Sequence, residues 1–304
     1  MSNAIDTALV QTYRSNIEIQ FQQKGSRLRD TVTVESQKSE FDFYDRIGPV
    51  DAVEIQSRHS DTPLLETPHS RRRVGMRDFD WADMIDRPDK IRMLADPTSS
   101  YTQNAVMSLG RKMDDIIIEA ARAAAITGKT GQSSTAFPAT QVIDNNYVEN
   151  GTANVSNLTV GKLRRARYLF DSNEAIDDGD SLTLVVTASQ IQALLRTVEA
   201  TSSDYNTVRA LVNGEINSFM GFNFVRTERL AKGADAHDAT STANTRQCLA
   251  YPSSAITLAV GTDINVDVGP RRDKRNNTQV YVCASFGAVR MWEEKVVQID
   301  CEEA

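Results

Sequence analysis

The chain is 304 residues long, with 40% hydrophobic and 25% charged residues, the proportions of a packed globular protein and not of a disordered one. Its 34 Lys and Arg against 41 Asp and Glu leave a formal charge of −7, which excludes a protein whose whole surface wraps nucleic acid and still permits local basic patches. No run approaches the roughly 20 apolar residues of a membrane span, the N-terminus lacks a signal peptide's basic and apolar regions, and Cys248, Cys283 and Cys301 are too scattered for a zinc or disulfide framework, so the sequence reads as soluble, non-secreted and reduced.

Residues 1–28 carry helix-like apolar spacing at Ile5, Leu9, Tyr13 and Ile17 with nothing adjacent to pack on, which predicts an arm. From Arg29 the pattern changes to short β-type runs, residues 31–34, 40–44, 50–55 and 74–81, separated by Gly48-Pro49, Pro63 and Pro68. Phe41, Phe43, Phe79 and Trp81 alternate there with aspartates. A lone ribbon of that kind is marginal in water, so its apolar face needs cover from elsewhere. Asp96-Pro97 is a favourable helix start, and Val106, Leu109, Met113, Ile116, Ile117, Ala120 and Ala124 share one face, predicting a beam of roughly 45 Å from Pro97 to Thr127 with Gly128 as its stop.

A polar loop over 131–156 precedes a second helix capped by Thr159, with Leu163, Leu169 and Phe170 beside Lys162, Arg164, Arg165 and Arg167. The continuous apolar run over 182–187 suits a buried central strand. Helices through Ile191, Leu194 and Leu195 and through Tyr205, Val208, Leu211 and Val212 follow, then a hairpin at Met220-Gly221 and an Ala/Thr/Asp/Gly loop over 231–245 that reads as mobile. The remainder is strand-like over 255–260, 264–268, 280–285 and 289–299, punctuated by Gly261, Gly269-Pro270 and Gly287.

Catalytic motifs are missing from this pattern. Gly128-Lys129-Thr130 follows a helix and has Ala123 where a phosphate-binding loop needs its first glycine. His59, His69 and His237 have no partner spacing, and Asp177, Asp178 and Asp180 precede an apolar strand where a calcium loop would continue. No residues are assigned to catalysis, cofactor or metal. Three basic clusters stand out instead: Arg71, Arg72 and Arg73 with Arg77, the helix face from Lys162 to Arg167, and Arg271, Arg272, Lys274 and Arg275. Phosphate or a partner's carboxylates would suit them, and for the first cluster the nearby Asp78, Asp80, Asp83, Asp86 and Asp89 favour protein contact.

Residues 41–48 (FDFYDRIG), 86–92 (DRPDKIR), 213–225 (NGEINSFMGFNFV) and 287–292 (GAVRMW), in this order, resemble the major capsid proteins of tailed bacteriophages with the Hong Kong 97-type fold. The resemblance covers nearly the whole chain and implies an α+β fold. Its parts would be an N-terminal arm (1–28), an extended E-loop over a neighbouring subunit (29–90), a P domain with a long spine helix (91–174), an axial A domain (175–254) and C-terminal strands returning to the P domain (255–304). It further implies a non-enzymatic shell protein of the virion, forming homo-oligomeric pentamers and hexamers around double-stranded DNA and assembled in the host bacterial cytoplasm. A portal, a decoration protein and a separate scaffolding protein are the expected partners, the last because the E-loop begins near Arg29. An encapsulin-like compartment shell is the alternative within the fold, and a soluble enzyme the alternative outside it. On this reading Phe41, Phe43, Arg71, Arg72, Arg73, Phe79 and Trp81 lie at subunit interfaces, the 231–245 loop varies between shell positions, and Lys162, Arg164, Arg165 and Arg167 face DNA.

Overall fold

The computed structural model describes residues 22–55, 57–58, 61–62, 64–86, 98–149, 151–196, 218–234, 237–238 and 240–303. Residues 1–21 of the arm expected over 1–28, the Asp96-Pro97 helix start and the helix through Tyr205 and Val212 lie outside the described residues. In chain order the elements begin with β1 (Thr33–Ser36), β2 (Phe41–Ile47), β3 (His69–Gly75), β4 (Arg77–Ile85), α1 (Thr98–Arg122), β5 (Ala125–Thr127), β6 (Ser133–Thr135) and β7 (Val142–Ile143). They continue with α2 (Val160–Ser172), β8 (Leu182–Val186), α3 (Ala188–Arg196), β9 (Ser218–Phe219), β10 (Phe222–Arg226), β11 (Thr245–Pro252), β12 (Ile256–Arg271), β13 (Asn277–Arg290) and β14 (Val297–Glu302). Two compact units result, one drawn from within 22–26, 78–112 and 262–285, the other from within 27–77, 113–261 and 286–303.

In the larger unit, a six-stranded sheet of order β7-β14-β11-β8-β10-β9 forms the core. The expected buried strand, β8, is covered at all five residues, with β11 antiparallel on one side (Leu249 opposite Val185) and β10 parallel on the other (Phe224 opposite Leu184). A parallel neighbour requires a crossover, which α3 begins. The β9–β10 hairpin turns on Met220 (φ 53°) and Gly221 (φ 83°), the doubly left-handed pair of a two-residue turn. Helix α2 buries Val160, Leu163, Ala166, Leu169 and Phe170, and Thr159 caps it by accepting from the Lys162 backbone N–H at 3.3 Å.

A second sheet in this unit has the order β2-β3-β5-β6. Its β5 corrects the expected end of the beam, since α1 stops at Arg122 and residues 125–127 pair with β3 and β6. The Arg290 guanidinium takes the last helical acceptors, donating to the carbonyls of Ala121 (2.8 Å) and Ala123 (3.0 Å), so the chain leaves the helix five residues early. Gly128 (φ 94°) therefore serves the β5–β6 turn and not a helix cap.

Two further glycines also depart from expectation. Gly261 and Gly287 lie inside continuous strands, β12 and β13, and do not punctuate them. A Cβ on Gly287 would collide with the Gly75 carbonyl oxygen, which marks close backbone approach, whereas one on Gly261 would meet the Met76 methyl, the movable end of a side chain. The turn between β12 and β13 lies at Arg275 (φ 55°) and Asn276 (φ 56°).

Strands β12 and β13 run through both units, with β1 pairing with the first residues of β12 in the larger one. In the smaller unit β4 lies beside β13, where Ser285 Oγ donates to Asp78 at 2.5 Å and Asn277 donates to Asp86. The extended excursion is therefore not one ribbon: β2 and β3 pair with each other, and β4 joins the C-terminal strands. Residues 22–26 lie on the first half of α1, with Gln22 donating to Asn104 at 2.9 Å, and a Cβ on Gly110 would approach the Gly25 backbone to 2.6 Å.

Candidate assembly surfaces

The paired strands of the β2–β3 hairpin are pinned by charge. Arg72 is 1% exposed, pairs with Glu293 and donates to Thr135 Oγ1 (3.2 Å) and the Met291 carbonyl (3.4 Å). Arg46 donates to the same carbonyl, lies 3.6 Å from Glu293 and covers the Trp292 ring at 4.4 Å. Arg290, fully buried, sits 3.8 Å from Glu293 and over the Phe137 ring. Burial, opposed by Glu293 and assisted by Arg72 and Arg46, pushes Arg290 down to about 10. Three guanidiniums around Glu293 lock the hairpin to the end of β13. Arg72, expected at a subunit interface, is thus an internal strut, because its strand register points it at Glu293.

Besides that lock, Val74 packs with Ala125, Ala259 and Val289, with Tyr44 and Met291 against them. Arg71 is half-buried, 2.8 Å from Asp45 and above the Phe43 ring, while Arg73 lies over Phe41, which remains 45% exposed. Among the described residues the cluster's counter-charges are Asp45 and Glu293, with Arg77 on Glu119 at 2.8 Å, and not Asp78, Asp80, Asp83 or Asp86. The connection between β2 and β3 exposes Val50, Val53, Ile55 (82%), Leu64 (96%) and Leu65, with Ile47 at its entry. An apolar set of this size left in water marks a binding surface. The sequence predicts a β-type run over 50–55, and the structure corrects it, with no strand between Ile47 and His69 among the described residues.

In the smaller unit Phe79 and Trp81 occupy the half-buried face of β4, with Asp78, Asp80 and Asp83 exposed between and beyond them. Lys112 Nζ lies 5.6 Å from the Phe79 ring centre. This is the alternation the sequence indicated.

The expected DNA-facing helix is different in kind. Lys162 is fully buried, and its ammonium donates to the carbonyls of Asn145 (2.9 Å), Ser156 (2.8 Å) and Asp300 (2.8 Å). Burial holds its pKa below the ordinary lysine value, against the carboxylates of Asp300 and Asp238 and the nearby thiols. It is a structural cross-tie and meets no solvent. Arg164 is paired with Glu149 (2.7 Å) and Arg167 with Asp171 (3.1 Å), and Arg165 lies over Tyr168, so the face is largely neutralised.

The 231–245 segment, expected to be mobile, is tied down at its described residues. Asp238, 1% exposed, accepts from the Asn145 N–H (2.8 Å) and from Thr240, and Asn145 donates on to the Thr240 carbonyl. At the chain's end, Glu303 is drawn two ways: burial would raise its pKa, but hydrogen bonds from Arg246 (2.9 and 3.1 Å), Gln190 (3.2 Å) and Lys232 hold it at about 2.

Among the described residues no three His, Cys, Asp or Glu side chains group as a metal site, and no helix is long and apolar enough to cross a membrane. A cavity of about 270 Å³ beside Phe41 and Arg73 is lined mainly by Met76, Ile116, Ala120, Ala125 and Val289. Arg77 and Glu119, paired with each other, also line it.

Residues 5–303 match the phage capsid protein family. Among solved structures, the capsid of cyanophage P-SCSP1u is similar with a TM-score of 0.72 at 15% identity, over 100% of this chain and 96% of that one. The capsid of cyanophage Pam1 gives 0.73 at 12% identity, over 99% and 98%. The acid-stable capsid of Helicobacter pylori bacteriophage KHP30 gives 0.70 at 9%, again over 99% and 98%. No curated protein matches the sequence. At these identities the structural likeness is one of fold.

Proposed function

The chain belongs to the phage capsid protein family and is a structural capsid protein, and from that premise we propose that it is the major shell subunit of a tailed phage. In this reading it has the Hong Kong 97-type organisation and forms pentamers and hexamers of an icosahedral shell around double-stranded DNA. The β2–β3 hairpin with its long connection acts within the E-loop (29–90), α1 as the spine helix, and residues 175–254, with β8 to β11, as the axial domain. Assembly takes place in the host cytoplasm with a scaffolding protein, a portal and a decoration protein.

One observation carries the reading: a hairpin locked to the body through Arg46, Arg72 and Glu293 presents an end whose Ile55 and Leu64 are 82% and 96% exposed. A firmly held arm with an unburied apolar end suits an obligate contact, in which a neighbour supplies the missing cover. Phe41, Phe43, Arg71 and Arg73, with Phe79 and Trp81, are the proposed interface side chains. The neutralised α2 face, with Arg164, Arg165 and Arg167, is at most a weak contact for DNA.

Electron microscopy with light scattering on the expressed protein, alone and with its scaffolding partner, tests this. Rings or closed shells are expected, and a monodisperse monomer under all conditions would contradict it. Particles that carry an enzyme and no nucleic acid when isolated from infected cells would favour a compartment shell.

A further inference from the structure

Two thiols and a lysine inside the larger unit have no part in the reading above. Cys248 on β11 and Cys301 on β14 are completely buried, whereas Cys283 on β13 is half-buried. The antiparallel register sets Cys248 opposite Ile299, and side chains two apart on a strand share a face, so Cys301 is the diagonal neighbour of Cys248 on one face of the six-stranded sheet. The Cys301 sulfur leans back along its strand toward that neighbour, donating weakly to the Ile299 carbonyl at 3.8 Å.

A buried thiol by itself is an ordinary core filler. These two meet each other and a cation. Contact with Cys301, and burial after it, pushes the Cys248 thiol up, while Cys301, which burial alone would raise, is held below the ordinary thiol value by Cys248 and by the Lys162 ammonium. Lys162 spends its three N–H donors on the neutral carbonyls of Asn145, Ser156 and Asp300, so its positive charge is held in place without being consumed.

The spacing decides what the pair can hold. Cα atoms of a diagonal pair lie about 7–8 Å apart, beyond the roughly 4.4–6.8 Å that a disulfide spans, so a direct S–S bond requires the strands to move. An ion between the sulfurs replaces that one short bond with two metal–sulfur bonds of roughly 2.3 Å each, which suits the gap. Thiolates select soft ions, and no third His, Cys, Asp or Glu groups with this pair among the described residues, so a two-coordinate ion fits and four-coordinate zinc does not.

We propose that Cys248 and Cys301 form a buried two-coordinate site for Cu(I), with Lys162 as its counter-charge. On binding, each thiol releases its proton to solvent and each sulfur donates an electron pair to the ion; nothing is oxidised or reduced. Two thiolates on one monovalent cation leave one negative charge, which the ammonium balances. The ion cross-ties β11 to β14, and because both sulfurs are out of solvent it enters during folding or local opening. The site lies within one subunit and is independent of the shell-forming reading.

The test loads the full-length protein with Cu(I) in the absence of oxygen, once as the folded subunit and once during refolding from urea, and strips loosely held ion with a Cu(I) chelator. One copper per chain is expected by at least one route, with two sulfur neighbours in X-ray absorption and a urea midpoint above that of the metal-free protein. Cys248→Ala should hold none. Cys283→Ser should keep both the copper and the two-sulfur spectrum, which leaves Cys248 and Cys301 as its sole thiols and decides the matter even if Cys248→Ala does not fold. No copper retained by either route, nitrogen or oxygen ligands in the spectrum, loss of the two-sulfur spectrum in Cys283→Ser, or copper held equally by folded Cys248→Ala as an adventitious ion would each overturn the site.

Discussion

Within the larger unit, the six-stranded sheet and the β2–β3 hairpin solve the same problem in opposite ways. Every residue of β8 is buried by strands of its own chain, and β14 is buried over residues 297–301. The hairpin is covered on one side of its strands, through Arg46, Arg72 and Glu293 and through Val74 packed with Ala125, Ala259 and Val289, and leaves Ile47, Ile55 and Leu64 in water. The sheet makes the subunit stable; the hairpin makes it incomplete. Stability and assembly should therefore separate by region when each is perturbed.

The largest effect is expected in the sheet. Leu184→Ala removes a fully buried side chain between β10 and β11 and should cost about 4 kcal/mol in urea unfolding. Next comes the hairpin's charged lock, where Arg72→Ala leaves Glu293 short of a partner and should cost about 3 kcal/mol. Its neighbour Arg71→Ala should cost less than about 1 kcal/mol, because Arg71 is only half-buried and its partner Asp45 is exposed. Equal losses for the two arginines would break the distinction between strut and surface.

An intermediate effect follows from Glu303. Its carboxyl is held at about 2 against an ordinary 4.5, so its ionised form stabilises the fold fully above about 4.5 and loses that contribution as pH falls toward 2. Glu303→Gln should therefore be less stable than the unmodified protein at neutral pH, by roughly 1–2 kcal/mol, and the gap should close below pH 4.5 in urea titrations. A gap that persists at pH 2.5 would remove the charge explanation. The smallest stability effect belongs to Leu64→Ser, within about 0.5 kcal/mol of the unmodified protein since the side chain is already in water. The same substitution should lower particle yield in light scattering.

Much of this contrast was legible in the residues, and the misreadings share one cause. The Leu182–Val186 strand and the Met220-Gly221 hairpin follow from local chemistry, a continuous β-branched apolar run and a pair that tolerates left-handed backbone. Lys162 and Arg72 were read as surface charge because basic residues are mostly solvated, yet their partners are carbonyls of Asn145, Ser156 and Asp300 and the carboxylate of Glu293, all distant in sequence. Gly287 reads as a break because a sequence does not record that the Gly75 backbone passes close by. The end of α1 was placed five residues late because the group that stops it, Arg290, arrives from β13. The candidate interface was half visible: the aromatic and aspartate alternation of β4 was evident, whereas the exposed Ile55 and Leu64 gain meaning only once the fold fails to bury them.

The most direct test of the claim that this hairpin is completed by a neighbour is hydrogen exchange on the free subunit and on the assembled particle. The account expects amides of β8, β11 and β14 to be equally protected in both, and amides of residues 48–68 to pass from fast exchange in the subunit to slow exchange in the particle. Fast exchange over 48–68 in the assembled particle would contradict it.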